Sequence, residues 1–200
     1  MNTFLSVIKF ILAVLALPVA WASASEFHRF TMRLPGPYEE FFYWGMFGFV
    51  LLYVFFYQFW GPYELGQKII AGIFQFTAPA NRLIAHIIPF YLSVILLLFA
   101  FTLNFLEINA YDHYFMFFAG FAFTMHIILT ADELQEAEKA FIKPTYLLTI
   151  MLVLTLMICV TVLLCNLVLM KFTYPDFAQA VIDKAWDIYI EAYNRLAIWK

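Results

Sequence analysis

Five stretches of this chain carry no Asp, Glu, Lys or Arg: residues 10–25, 41–63, 83–106, 113–131 and 144–170. As helices rising about 1.5 Å per residue they reach roughly 24, 35, 36, 28 and 40 Å, against a bilayer hydrocarbon layer of about 30 Å. The last four are long enough to cross it, the longest with some tilt. Their apolar residues run on without the alternation of barrel strands, and lipid leaves no partner for an unpaired backbone group, so helices are the expected form. The sequence therefore predicts an all-α, polytopic membrane protein with four to five transmembrane helices plus amphipathic interfacial helices.

Composition closes the alternatives. Hydrophobic side chains make up 65% of the 200 residues and charged ones 12%, where soluble domains have about half and a quarter. That surplus does not fit inside one soluble core. With 25 Phe, 12 Tyr, 5 Trp and a mean hydropathy of +0.85, the chain also lies far from the disordered class. A formal charge of -3 offers no basic stripe for phosphates, which excludes nucleic acid as a partner. Two cysteines, Cys159 and Cys165, lie on different faces of one expected span and cannot bridge each other.

Residues 1–25 read two ways. Phe10 to Val19 is a short apolar region, Pro18 breaks its end, and Ala22-Ser23-Ala24 offers the small residues of a signal-peptidase site. Against cleavage, Lys9 is a late and solitary positive charge. The segment is a signal peptide or an uncleaved first transmembrane helix, a signal anchor. Either way residues 26–40 follow on the outer side and the chain alternates through a membrane domain over residues 26–171. The C-terminus is then extracytoplasmic, in a cell membrane of the bacterial inner or secretory-pathway type. Lys68, Arg82, Lys139 and Lys143 fall in the inner loops, although Lys171, Lys184, Arg195 and Lys200 in the tail dilute the contrast.

Gly61-Pro62 closes the second span in this reading. From Tyr63 to Phe76, Leu65, Ile69, Ile73 and Phe76 recur at helical spacing and predict a helix along the inner interface. Asp132 to Lys143 extends the fourth helix beyond the span. Residues 172–200 form an amphipathic C-terminal helix. Asp176, Asp183, Asp187, Glu191, Asn194 and Arg195 share one arc, with Phe177, Val181, Ala185, Ile188, Tyr189, Ala192, Leu196 and Trp199 opposite. Trp186, Tyr189, Tyr193 and Trp199 are expected to meet lipid or a partner. Asn166, costly to leave facing lipid, is the expected interhelical contact of the last span.

Ionisable groups within spans are functional candidates. His86, four residues after Arg82, and His126, six before Asp132, should lie at similar depth on antiparallel neighbours. His113 and His28 belong to the outer side, with His28 outside any span, and would be the second pair of ligands if two haems were bound. His113 and His126 are thirteen residues apart with Gly120 near the midpoint, a spacing similar to that of axial imidazoles in di-haem b-type cytochromes, where small residues admit the macrocycle. Two features depart from that pattern: no second helix carries two histidines, and thirteen residues turn the two imidazoles some 140° apart. One haem b on His86 and His126 is thus the cofactor alternative. The bland reading is no cofactor, with His126 hydrogen-bonded to a neighbouring carbonyl or hydroxyl such as Thr130. Glu107, Asp112 and His113 crowd one outer turn and could form an ion-entry site, though no deeper acid or base continues a path.

Enzyme signatures are missing. Tyr63 and Gln67 occupy both histidine places of the H-E-x-x-H zinc pattern around Glu64, and no nucleophile elbow or phosphate loop is present. The leading expectation is an accessory or scaffolding subunit of a larger membrane complex, without catalysis of its own, whose partners are other membrane subunits and the bilayer. A haem b electron-transfer subunit and a small proton- or ion-coupled transporter or channel are the alternatives.

Overall fold

Thr3–Thr31 forms one unbroken helix, α1, in a computed structural model that describes residues 3–56, 59–106, 111–136, 144–169 and 174–197. Pro18 does not end it, contrary to the sequence expectation. A proline interrupts one hydrogen bond of the ladder, and packing against neighbours suffices to carry a span past it. Ala22 and Ser23 are fully buried, and Ser23 Oγ donates to the Val19 carbonyl at 2.8 Å. The small residues that resemble a processing site are thus accounted for by close packing. α1 lies beside α7 (Pro144–Leu169) with their N-terminal ends together, where Lys9 Nζ donates to Thr145 Oγ1 at 3.0 Å.

Pro35-Gly36-Pro37 turns the chain, with Gly36 at φ +58°, a conformation that side-chain-bearing residues rarely adopt. α2 (Tyr38–Phe56) follows. It ends before Gly61-Pro62, which corrects the predicted boundary: those residues sit in the first turn of α3 (Trp60–Ile73). Proline is at home there because the first N–H groups of a helix have no intrahelical acceptor. α3 buries Tyr63, Gly66 and Ile70, while Leu65 and Ile73 of the expected apolar stripe are exposed. The helix exists as predicted, but rolled so that its polar-flanked tyrosine faces the bundle.

The third span is broken. α4 (Asn81–Ile87) and α5 (Phe90–Phe101) meet at a 57° bend over Ile88-Pro89. Pro89 supplies no N–H, and its ring disfavours helical backbone at Ile88, which is extended. A π-helical turn, Thr102–Leu106, continues α5.

α6 (Asp112–Glu136) is the hub, extending past the expected span to Glu136. It is 56% buried over its most apolar stretch, whereas α1 is 11% buried. α6 crosses α2 in a parallel sense, from Tyr38 beside Asp112 to Tyr53 beside Asp132. The crossing requires two glycines. A Cβ on Gly45 would lie 1.9 Å from the Phe117 carbonyl oxygen, and one on Gly120 2.0 Å from that of Phe42. Around this contact Phe42, Phe49, Leu92, Leu96, Phe99, Met116 and Met157 are fully enclosed.

α8 (Tyr174–Ala197) folds back onto α1 and buries Phe177, Val181 and Ala185. Lys184 Nζ hydrogen-bonds Ser25 and pairs with Glu26 at 3.2 Å, whereas Tyr189 donates to the Leu15 carbonyl. These two side chains leave α8 on either side of its α1-facing line, so its roll is fixed. Ile182, Trp186, Ile190 and Tyr193 form an exposed apolar strip on the Leu15 side.

Four helices are long and apolar enough to cross a membrane: Phe4–Thr31, Tyr38–Phe56, Asp112–Glu136 and Pro144–Leu169. The bent α4–α5 pair would make a fifth crossing.

Candidate functional site

The break at Pro89 borders a cluster of polar side chains from α3, α4 and α6. Had α4 continued, the Phe90 N–H would have satisfied the His86 carbonyl. The bend frees that carbonyl, and His126 Nε2 donates to it at 2.9 Å. A buried, unpaired backbone carbonyl costs about 1–3 kcal/mol, so the imidazole acts as a cap for a broken helix. The two histidines do meet, as their depths predict, but through a carbonyl. Thr130 is not the partner of His126. Its Oγ1 lies 3.0 Å from Tyr63 Oη.

His86 is held in turn. Its Nδ1 donates to the Arg82 carbonyl at 2.7 Å. Its Nε2 is buried and 3.2 Å from Glu133 Oε2, but out of line for a hydrogen bond. Glu133 also accepts from Tyr63 Oη at 2.9 Å, and Gln67 Nε2 donates to the same phenol at 3.0 Å. Burial pushes the Tyr63 phenol well above its ordinary value, so it remains a donor. One side chain of α3 is thereby tied to two residues of α6. These groups border a cavity of about 700 Å³ whose wall includes Trp60, Lys68, Arg82, His86, Glu133 and Glu136.

His126 Nε2 is taken by the His86 carbonyl, His86 Nε2 is buried beside Glu133 without a hydrogen bond, and Gly120 holds the Phe42 backbone rather than a space for a macrocycle. His28 lies in the last turn of α1, inside that helix and not beyond it, with Nδ1 2.6 Å from Tyr43 Oη. His113 packs on the ring of Phe41, so the two histidines contact different rings of α2. Among the described residues no group of three His, Cys, Asp or Glu side chains could hold a metal ion.

At the far end of α6, Asp112 is buried, and its Oδ2 accepts from Tyr38 Oη at 3.3 Å. Its Oδ1 has no partner among the described residues. Asp112 and His113 border a cavity of about 430 Å³. Glu107, the third member of the expected ion-entry site, lies outside the described residues, as does Trp199. Between the two ends, Met116 to Met125 contains no ionisable side chain.

Of the expected interface residues, Trp186 and Tyr193 are exposed, while Tyr189 is half-buried on α1. Asn166 is half-buried on α7, with Oδ1 enclosed and unpartnered among the described residues. Sequence reasoning missed Tyr63, Glu133 and Arg82. Pro89, which redirects α4 and frees the His86 carbonyl, was the signal that could have found them.

Comparison with family models, with curated proteins and with solved structures finds no match.

Proposed function

We propose that this chain is a multi-pass integral membrane protein serving as an accessory or scaffolding subunit of a larger membrane assembly, without catalysis of its own. The carrying observation is how its polar groups are used. His126 caps α4, Tyr63 joins α3 to α6, and Glu26 joins α1 to α8. Each is spent on holding helices together, and the stretch of α6 between the two polar ends is apolar. That favours a structural role over a proton or ion path, which needs stepping stones through the layer.

The working surface in this reading is α8. Its exposed apolar strip, with Trp186 and Tyr193, runs beside a stripe containing Asp183, Asp187 and Glu191. Aromatic anchors flanked by charge suit a neighbouring membrane helix with basic residues at its end. α8 runs back along α1, from Glu26 to Leu15 at the middle of that helix.

The test is mild detergent extraction of the tagged, full-length protein. A stoichiometric membrane partner is expected, and Trp186→Ala with Tyr193→Ala should reduce its retention about tenfold while thermal unfolding is unchanged. A chain that elutes alone, or a partner indifferent to both substitutions, would overturn the reading.

A further inference from the structure

We infer that the cavity between α3, α4 and α6 binds the headgroup of a zwitterionic phospholipid, with the phosphate on Arg82 and the ammonium between Glu136 and Trp60. The argument begins with the charges that line it. Lys68 pairs with Glu64 at 3.2 Å, and His86 Nε2 lies 3.2 Å from Glu133 Oε2, out of line for a hydrogen bond. Arg82 and Glu136 of the same wall form no ion pair within 4.0 Å among the described residues, although the Arg82 guanidinium also favours the charged form of Glu133. A wall that carries both cations, Lys68 and Arg82, and carboxylates, Glu64, Glu133 and Glu136, complements a ligand with a positive and a negative end. Arg presents a planar fork matched to phosphate oxygens, and a carboxylate beside an indole face suits an ammonium.

Size and place agree. About 700 Å³ falls within the range of small-molecule sites, about 300–1,000 Å³. The cavity lies where α6 passes from its apolar stretch to Asp132, Glu133 and Glu136, beside a helix whose opposite side exposes Leu65 and Ile73. That is the level at which a bilayer presents headgroups, and Trp60 is the residue type enriched there. The buried Nε2 of His86, without an aligned partner, adds a polar atom on the wall. The inference is independent of the scaffold reading: a site of this kind needs the membrane but no protein partner.

The full-length protein is reconstituted in phosphatidylglycerol bilayers containing a minor fraction of phosphatidylethanolamine, then extracted gently, and the retained lipid is measured by mass spectrometry. Phosphatidylethanolamine should be enriched over its input ratio. Arg82→Gln and Glu136→Gln should each lower that enrichment about tenfold, while the charge-preserving Arg82→Lys and Glu136→Asp retain most of it and guard against a folding defect. Retention at the input ratio, or enrichment unaffected by both neutralising variants, overturns the site. Displacement by soluble glycerophosphoethanolamine, mole for mole, overturns its assignment to a lipid.

Discussion

Gly45 and Gly120 face one another across the α2–α6 crossing, each against the carbonyl three residues before the other, Phe117 and Phe42 respectively. Backbones this close leave no volume for a methyl group. Gly45→Ala or Gly120→Ala is expected to push the helices apart and lower stability by about 1–3 kcal/mol or more. Gly48→Ala, whose Cβ would meet only the tip of the Phe117 ring at 3.4 Å, is the control and should unfold within about 0.5 kcal/mol of the parent. Thermal or denaturant unfolding in detergent reads both.

His126 supplies the only hydrogen bond described to the His86 carbonyl. His126→Leu leaves that carbonyl enclosed and unpaired, an expected loss of about 1–3 kcal/mol, whereas His126→Gln can donate in its place and should recover part of it. Because His126 Nε2 is taken by the His86 carbonyl, it is not available to share a haem with His86, and the purified protein is expected to show no Soret band. A band abolished by His86→Ala would restore the haem alternative.

Tyr63 is raised above the ordinary phenol value of 10.0 by burial. The sign follows from linkage. In the unfolded chain the phenol ionises near pH 10, while in the fold it keeps its proton, so the contribution of Tyr63 is whole below pH 10 and is lost as pH rises beyond it. Tyr63→Phe should remove about 1–2 kcal/mol near neutrality, for the bonds to Thr130 and Glu133. It should also show a shallower loss of stability between roughly pH 10 and 12. Parallel unfolding curves for the two proteins across that window would contradict the assignment.

Much of this architecture was legible because uncharged runs and helical periodicity are local properties of the chain. α6, α7 and α8 fall close to their expected ranges, and α2 starts near its own but ends at Phe56, short of the expected residue 63. What local reading could not supply was the response of the backbone to its neighbours. Pro18 and Pro89 are the same residue type, yet α1 continues through the first and the third span breaks at the second. Gly120 likewise reads as space for a cofactor until Phe42 is seen to fill it. The candidate site suffered most, since Tyr63, Arg82 and Glu133 come from three separate helices and only the bend brings them together.

Glu26 is 5% exposed and pairs with Lys184 and Arg29. Lys184→Met removes the link between α1 and α8. Since Lys184 is itself about a third exposed, the expected loss is modest, about 1–2 kcal/mol. Release of α8 should appear as faster proteolysis within residues 174–197. Glu26→Gln added to Lys184→Met should restore part of the resistance, because the buried carboxylate left with only the exposed Arg29 is then removed.

The claim beneath all of this is that the bundle crosses a bilayer, with the exposed Lys68 and Arg33 at opposite ends of it. Single cysteines at those two positions, in a protein with Cys159 and Cys165 replaced by Ser, can be probed with a membrane-impermeant thiol reagent in sealed cells or vesicles. The account predicts that Arg33→Cys reacts from outside and Lys68→Cys only after the membrane is opened. Equal labelling of both from one side would contradict it.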